Sequence, residues 1–187
     1  MKRKKMERII KPMGSKYLLS SLELVQEVFS EWDSPKEGRK VRQLIEEIRA
    51  KRYYIPELEL IMVNEDDEII GYAMFSHFHI EGKYEDELLI LTPVAVKTNL
   101  QRQHISRDIL EYGFDVAKKM GFKAILVEGN PQNYRNRGFQ SSYKFGIEAG
   151  PNICLPHPDC LMIKELEKGA LGKMSGLVDY SFYESLS

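Results

Sequence analysis

The stretch from Leu88 to Phe139 constrains the fold more than any other part of the chain. A nearly continuous apolar run, Leu88 to Val96, is followed by a polar turn, Lys97 to Ser106. An amphipathic segment then reaches Met120, and a second apolar run covers Phe122 to Val127. The first run reads as a strand buried on both faces, and the middle segment has helical period. Strand, helix and strand in that order make a βαβ unit, which is parallel with a right-handed crossover. The turn carries the functional signal. It presents unpaired backbone N–H groups at a helix N-terminus, where an anionic phosphate is best held. A phosphorylated cofactor, bound where the first strand gives way to the helix, is the expectation. No P-loop, no Gly-x-Gly-x-x-Gly after a strand and no Gly-x-Ser-x-Gly elbow competes with it.

Inside this unit Pro93 cannot donate to a strand ladder and marks a bulge or a departure from pairing. The spacing predicts a helix from Gln103 to Met120 with Ile105, Ile109, Tyr112, Val116 and Met120 in one stripe. Gly121 ends it, with Lys118 and Lys119 in the last turn. Upstream, Ser21 is the expected N-cap of a helix whose Leu22, Val25, Phe29 and Trp32 share a face, and Pro35 restarts the chain into a second helix carrying Val41, Leu44, Ile45 and Ile48. Leu58 to Asn64 and Ile69 to Ile80 read as a hairpin around Glu65-Asp66-Asp67-Glu68. Tyr72, Met74, Ser76, Phe78 and Ile80 share one face of its second strand, and Ala73, Phe75, His77 and His79 share the other. A short final strand is expected near Leu177 to Phe182, after the glycines of Gly169 to Gly176.

The chain has 187 residues, 43% of them apolar, enough for one well-buried core and short for two. One domain over 1–187 is expected, with residues 1–16 as a mobile basic tail or a first strand. With 27 basic and 28 acidic residues the net charge is −1, so no global field draws the protein to nucleic acid or to a membrane surface. Lys2-Arg3-Lys4-Lys5 reads as a solvated tail. Cys154 and Cys160 have no second pair at zinc spacing and read as reduced thiols; no metal is expected. Only Ile9-Ile10 precedes Lys11 where a signal core would stand, and no run approaches the ~20 apolar residues of a membrane span, so a cytoplasmic protein is expected.

The segment Gln101-Arg102-Gln103-His104-Ile105-Ser106 resembles the acetyl-CoA signature of the GCN5-related N-acetyltransferases (GNAT), Gln/Arg-x-x-Gly-x-Gly/Ala after a strand. Leu91-Thr92-Pro93-Val94-Ala95-Val96 and the segment from Gly129-Asn130-Pro131 to Tyr134-Arg135-Asn136-Arg137-Gly138-Phe139 are similar to the bacterial YhbS-like branch. With Glu57 to Leu60 and Leu161 to Leu166, the likeness runs from about residue 20 to 183, nearly the whole chain by the usual size of a domain. It implies an α/β (α+β) fold: one domain on a mixed, mostly antiparallel sheet, splayed at a central βαβ unit and flanked by helices.

It also implies a function. Acetyl-CoA would be the cosubstrate and a primary amine of a small molecule or peptide the acceptor, with a homodimer left open. The backbone of Val94, Ala95 and Val96 would pair with pantetheine and supply oxyanion donors. Gln101, Arg102, Gln103, His104, Ile105, Ser106 and Asn130 would contact the cofactor. Tyr134 would protonate the CoA sulfur, with aromatic packing before Gly138-Phe139 as its plain alternative. Glu128 ranks ahead of Glu87 as base, against a solvated strand-end carboxylate. Both glycines of the family turn are replaced, by His104 and Ser106, and the His104 ring either points outward or meets the cofactor. That replacement supports a second reading, a non-catalytic acyl-CoA-binding or regulatory module on the same fold.

Overall fold

The computed structural model describes residues 7–186; the basic run Lys2 to Lys5 lies outside them. Within the expected first-strand region, Ile9–Pro12 forms β1. A 3-10 turn at Ser15–Tyr17 leads directly into α1, Leu18–Trp32. The helix therefore starts three residues before Ser21, which is no cap: its hydroxyl donates to the Leu18 carbonyl at 2.8 Å. The true cap in this region is Ser34, which accepts from the Glu37 N–H at 3.2 Å and starts α2, Pro35–Ala50, with proline in its first turn.

β2, Glu59–Val63, and β3, Ile69–His77, form the expected hairpin. β4, Leu88–Val96, returns antiparallel to β3. α3, Ile105–Lys119, then crosses to β5, Ala124–Glu128, which runs parallel to β4. After the short α4, Pro131–Tyr134, come β6, Gln140–Ser141, β7, Ile147–Ala149, β8, Leu161–Glu165, and β9, Gly176–Val178. One sheet has the order β1-β2-β3-β4-β5-β8-β6, and every pair in it except β4–β5 is antiparallel. The expected final strand is shorter than its sequence run: only Gly176–Val178 pairs, parallel to β7 in a separate two-stranded sheet. Among the described residues no helix is long and apolar enough to cross a membrane.

The strand alternation decides which helix covers which face. Tyr72, Met74 and Phe78 point to the side where Leu22 and Val25 of α1 and Leu44, Ile45 and Ile48 of α2 pack. Ala73 and Phe75 point to the other side, against Ile105, Ile109 and Phe114 of α3. The buried face of α3 is rotated from the expected stripe. Tyr112 and Met120 are exposed, and Gly113, Phe114 and Ala117 take the inward positions. Gly113 is what lets the helix lie this close, because a Cβ there would stand 2.4 Å from the Phe75 ring. His77 and His79 are both half-buried; His77 Nδ1 lies 2.9 Å from the Glu85 carbonyl.

Candidate active site

β4 and β5 pair at only three positions, Leu88 with Ala124, Leu89 with Ile125 and Ile90 with Leu126. Beyond them β4 stays with β3 as far as Val96, while β5 stays with β8 as far as Glu128. The two strands part, leaving unpaired backbone on both sides of an opening. On β4 the facing groups follow from alternation. The Lys97 N–H donates to Ile70 of β3 at 3.0 Å, so the N–H and C=O of Val94 and Val96 are directed toward the gap. The register shift between Ala73 and Phe75 falls where Pro93 stands, and the Thr92–Pro93 peptide bond is cis.

The gap opens into a cleft of about 910 Å³. Val94, Ala95, Val96, Gln101, Arg102, His104, Ile105, Ser106, Glu128, Asn130 and Tyr134 all line it, so chain segments distant in sequence meet there. Gln103 is the exception. Its carbonyl and its side-chain Oε1 accept from the Arg8 guanidinium at 2.9 and 2.7 Å, on the far side of the turn. The backbone explains this: Arg102 (φ 62°) and His104 (φ 66°) are both left-handed, which turns the residue between them away. Alternation of hand along successive residues also gathers their N–H groups into an anion-binding concavity. The same left-handed His104 keeps the helix from starting at Gln103; α3 begins at Ile105.

The turn is braced from below by Arg137, which donates to Ser106 Oγ at 3.0 Å and to the Asn133 carbonyl. Its guanidinium also lies over the Tyr134 ring, 6.0 Å from the centroid. Tyr134 packs edge-on to Phe139 at 5.5 Å, and its ring sits so close to Gly129 that a Cβ there would meet it at 2.6 Å. No described residue hydrogen-bonds its hydroxyl. Burial pushes the Tyr134 phenol up, with the Arg137 charge opposing, so the group keeps its proton at neutral pH. Asn130 lines the cleft but spends its Oδ1 on the Gln132 N–H, 3.0 Å away, as the cap of α4. At the end of β5, Glu128 is exposed and accepts at Oε2 from the Tyr180 hydroxyl at 2.9 Å. Glu87, ranked second as base, is absent from the cleft lining and pairs instead with Lys123 at 3.2 Å.

Four contributors were not singled out as site residues from sequence. Arg137 sits inside the Tyr134 to Phe139 segment, and its position before Gly138 was the available signal. Phe29 and Trp32 have helical spacing with Leu22 and Val25, but only the latter two are buried in the core; the first two line the cleft. Tyr180 lies in a loop 52 residues from Glu128 and carried no signal. Away from the cleft, Cys154 and Cys160 are free thiols, the first exposed.

A family model described as Acetyltransferase (GNAT) family matches residues 22–146, more than half of the chain. YhbS of Escherichia coli K12, an uncharacterised N-acetyltransferase, is 25% identical over 126 residues, covering 66% of this chain and 71% of its own length. The crystal structure of the Escherichia coli GNAT family N-acetyltransferase YhbS in complex with CoA matches with a TM-score of 0.82 at 20% identity, over 96% of this chain and 93% of that one. A GNAT family acetyltransferase from Brucella melitensis in complex with acetyl-CoA matches with a TM-score of 0.61 at 23% identity, over 72% of this chain and 83% of that one.

Proposed function

We propose that this chain, which belongs to the acetyltransferase (GNAT) family, moves the acetyl group of acetyl-CoA to a primary amine of a small molecule or peptide. The observation that carries the reading is the parting of β4 from β5 beside the left-handed turn at the α3 N-terminus. A thioester with a long amide-bearing arm and a pyrophosphate needs both features at once: free strand edge for the amides and inward N–H groups for the phosphates. Arg102, Arg107 and Arg137 line the same end of the cleft and add positive charge.

Acyl transfer requires a deprotonated amine, donors for the developing oxyanion and a proton for the departing thiolate. The thioester supplies the activated acyl group; the protein supplies orientation and electrostatics. Val94 and Val96 offer the strand-edge amides. Tyr134 holds a proton on a hydroxyl with no competing acceptor among the described residues, which suits an acid, and Glu128 is the carboxylate in the cleft positioned by a neighbour's hydroxyl, which suits a base. The substituted glycines do not favour a non-catalytic module, because His104 keeps the left-handed backbone that glycine would provide. The reading takes residues 1–187 as one domain, since one sheet holds both β4, which leads into the turn, and β5, which ends at Glu128.

The test has two stages. Millimolar acetyl-CoA should raise the melting temperature, increasingly as its concentration exceeds the dissociation constant. Addition of an amine panel should then release CoA thiol in an amine-dependent way. Absence of any thermal shift sinks cofactor binding, and binding without amine-dependent release restores the non-catalytic reading.

A further inference from the structure

The cleft passes between two strands, so it opens on both faces of the sheet, and its two ends differ in chemistry. The arginines lining it, Arg102, Arg107 and Arg137, come from the α3 turn, the first turn of α3 and the segment after α4. The α1 end contributes Val28, Phe29 and Trp32 and no positive charge. Trp32 is 78% exposed, the most exposed large apolar side chain among the described residues, and its ring meets Phe29 edge to face at 6.2 Å. An indole left open to water beside a second ring offers a planar group a wall to stack on. Nearby, Glu31 at the end of α1 accepts from the Thr98 hydroxyl, so the charge this helix end does carry is negative. At the end of β5, Glu128 has Oε2 engaged by Tyr180 and Oε1 without a partner among the described residues.

From these features we infer that the acceptor is an aromatic monoamine without a carboxylate, of the phenethylamine class, seated against Phe29 and Trp32 with its ammonium on Glu128. This rests on the acetyl-transfer reading. The carboxylate of an aromatic amino acid finds no cation at the α1 end and meets the charges of Glu31 and Glu128 instead, a like-charge penalty. A polyamine would leave its outer ammonium groups against the apolar wall. In the reaction, the ammonium passes a proton to Glu128, and the amine nitrogen forms a C–N bond to the acetyl carbonyl carbon as the C=O π pair moves onto oxygen; the nitrogen of this adduct gives its second proton to solvent, Glu128 releases the first to solvent, and the oxygen pair returns. The C–S bond breaks with its electron pair on sulfur, the thiolate takes the Tyr134 proton, and solvent reprotonates Tyr134. The net products are the N-acetylamine, CoA thiol and one proton.

The experiment measures CoA release by the full chain with saturating acetyl-CoA and three acceptors: phenethylamine, L-phenylalanine and spermidine. Phenethylamine should give a kcat/KM at least about tenfold above either of the others. Trp32→Ala should raise the KM for phenethylamine about tenfold while the acetyl-CoA Kd stays at its wild-type value, and Trp32→Phe should recover most of the loss. The exposed position of Trp32 means these variants fold. Equal or better use of L-phenylalanine or spermidine overturns the inference. So does no turnover of phenethylamine by a protein that still binds acetyl-CoA, or a Trp32→Ala protein with wild-type KM. Loss of acetyl-CoA binding in the wild-type protein is a different result; it overturns the acetyl-transfer reading and this inference with it.

Discussion

Glu59 and Glu128 both stand at strand termini, one at the start of β2 and the other at the end of β5, yet the fold treats them in opposite ways. Glu59 is fully buried. Its Oε1 accepts from Arg49 Nε and Nη2 at 2.9 and 2.6 Å and from the Tyr72 hydroxyl at 2.6 Å, and its Oε2 accepts from the Tyr54 hydroxyl at 2.5 Å. Burial and the neighbouring Glu59 charge push both tyrosines up, so they stay protonated as donors. Arg49 reaches on to Ser21 Oγ at 2.9 Å, which ties α1, α2 and β2 to one point. Glu128, with a single donor, faces the cleft. The contrast teaches that a carboxylate whose lone pairs are all used holds a fold together, whereas one left underused is available to a ligand.

Breaking the comparison at its strong end gives the largest effect. Glu59→Gln strands the Arg49 charge in a site where its side chain is 14% exposed, and should destabilise the protein by about 3–5 kcal/mol. Glu128→Gln should shift stability by less than about 0.5 kcal/mol. Urea denaturation of the two variants side by side checks the pair, and equal losses would mean that donor count does not separate the two roles.

The next effect belongs to the cleft. Tyr134→Phe removes a hydroxyl with no partner among the described residues, so melting temperature should hold, while turnover of an accepted amine falls by ~10²-fold. Wild-type turnover in a stable variant would leave Tyr134 as a packing residue behind Gly129.

Glu47 sharpens the comparison as an intermediate case. Burial alone would push its carboxyl up, but hydrogen bonds from Lys51, from the Ser185 hydroxyl and N–H and from the Glu184 N–H outweigh it and take the group down to about 2. A depressed pKa contributes stability that is present above the ordinary carboxylate value and is lost as pH falls toward 2. The wild-type protein should therefore lose about 2 kcal/mol more than Glu47→Gln between pH 6 and pH 2. Parallel pH profiles for the two proteins would remove Glu47 from the account of how the C-terminal residues are fastened to α2.

A smaller effect than that of Glu47 is at the turn. His104 holds φ 66° with a side chain, so His104→Gly should stabilise the folded state by roughly 1 kcal/mol. A destabilised variant would show that the exposed ring makes up for its backbone.

Much of the frame was legible before any coordinates. The hairpin around Glu65 to Glu68, the run Leu88 to Val96, the helix ending at Gly121 and the face alternation of Tyr72 to Phe75 all follow from local rules of period, turn chemistry and capping, each confined to a few neighbouring residues. Readings failed where a local rule met a non-local partner. Ser21 has the chemistry of a cap, but the 3-10 turn before it had already started the helix. Tyr112 and Met120 have the spacing of a core stripe, but Phe75 and Gly113 decide how α3 is rotated on the sheet.

The sequence by itself determined the strand, turn and helix that build the α3 terminus, because backbone amides at a helix start need only the local chain to present them. Tertiary structure alone decided which face of that turn looks into the cleft, sending Gln103 to Arg8 and His104 inward. It also decided that Phe29 and Trp32 line an opening rather than a core, and that Tyr180 reaches Glu128 across 52 residues of chain. The physical reason is that exposure and hydrogen-bond partnership belong to pairs of surfaces. Residue period describes one surface at a time, and where β4 parts from β5 the missing partner is what makes the site.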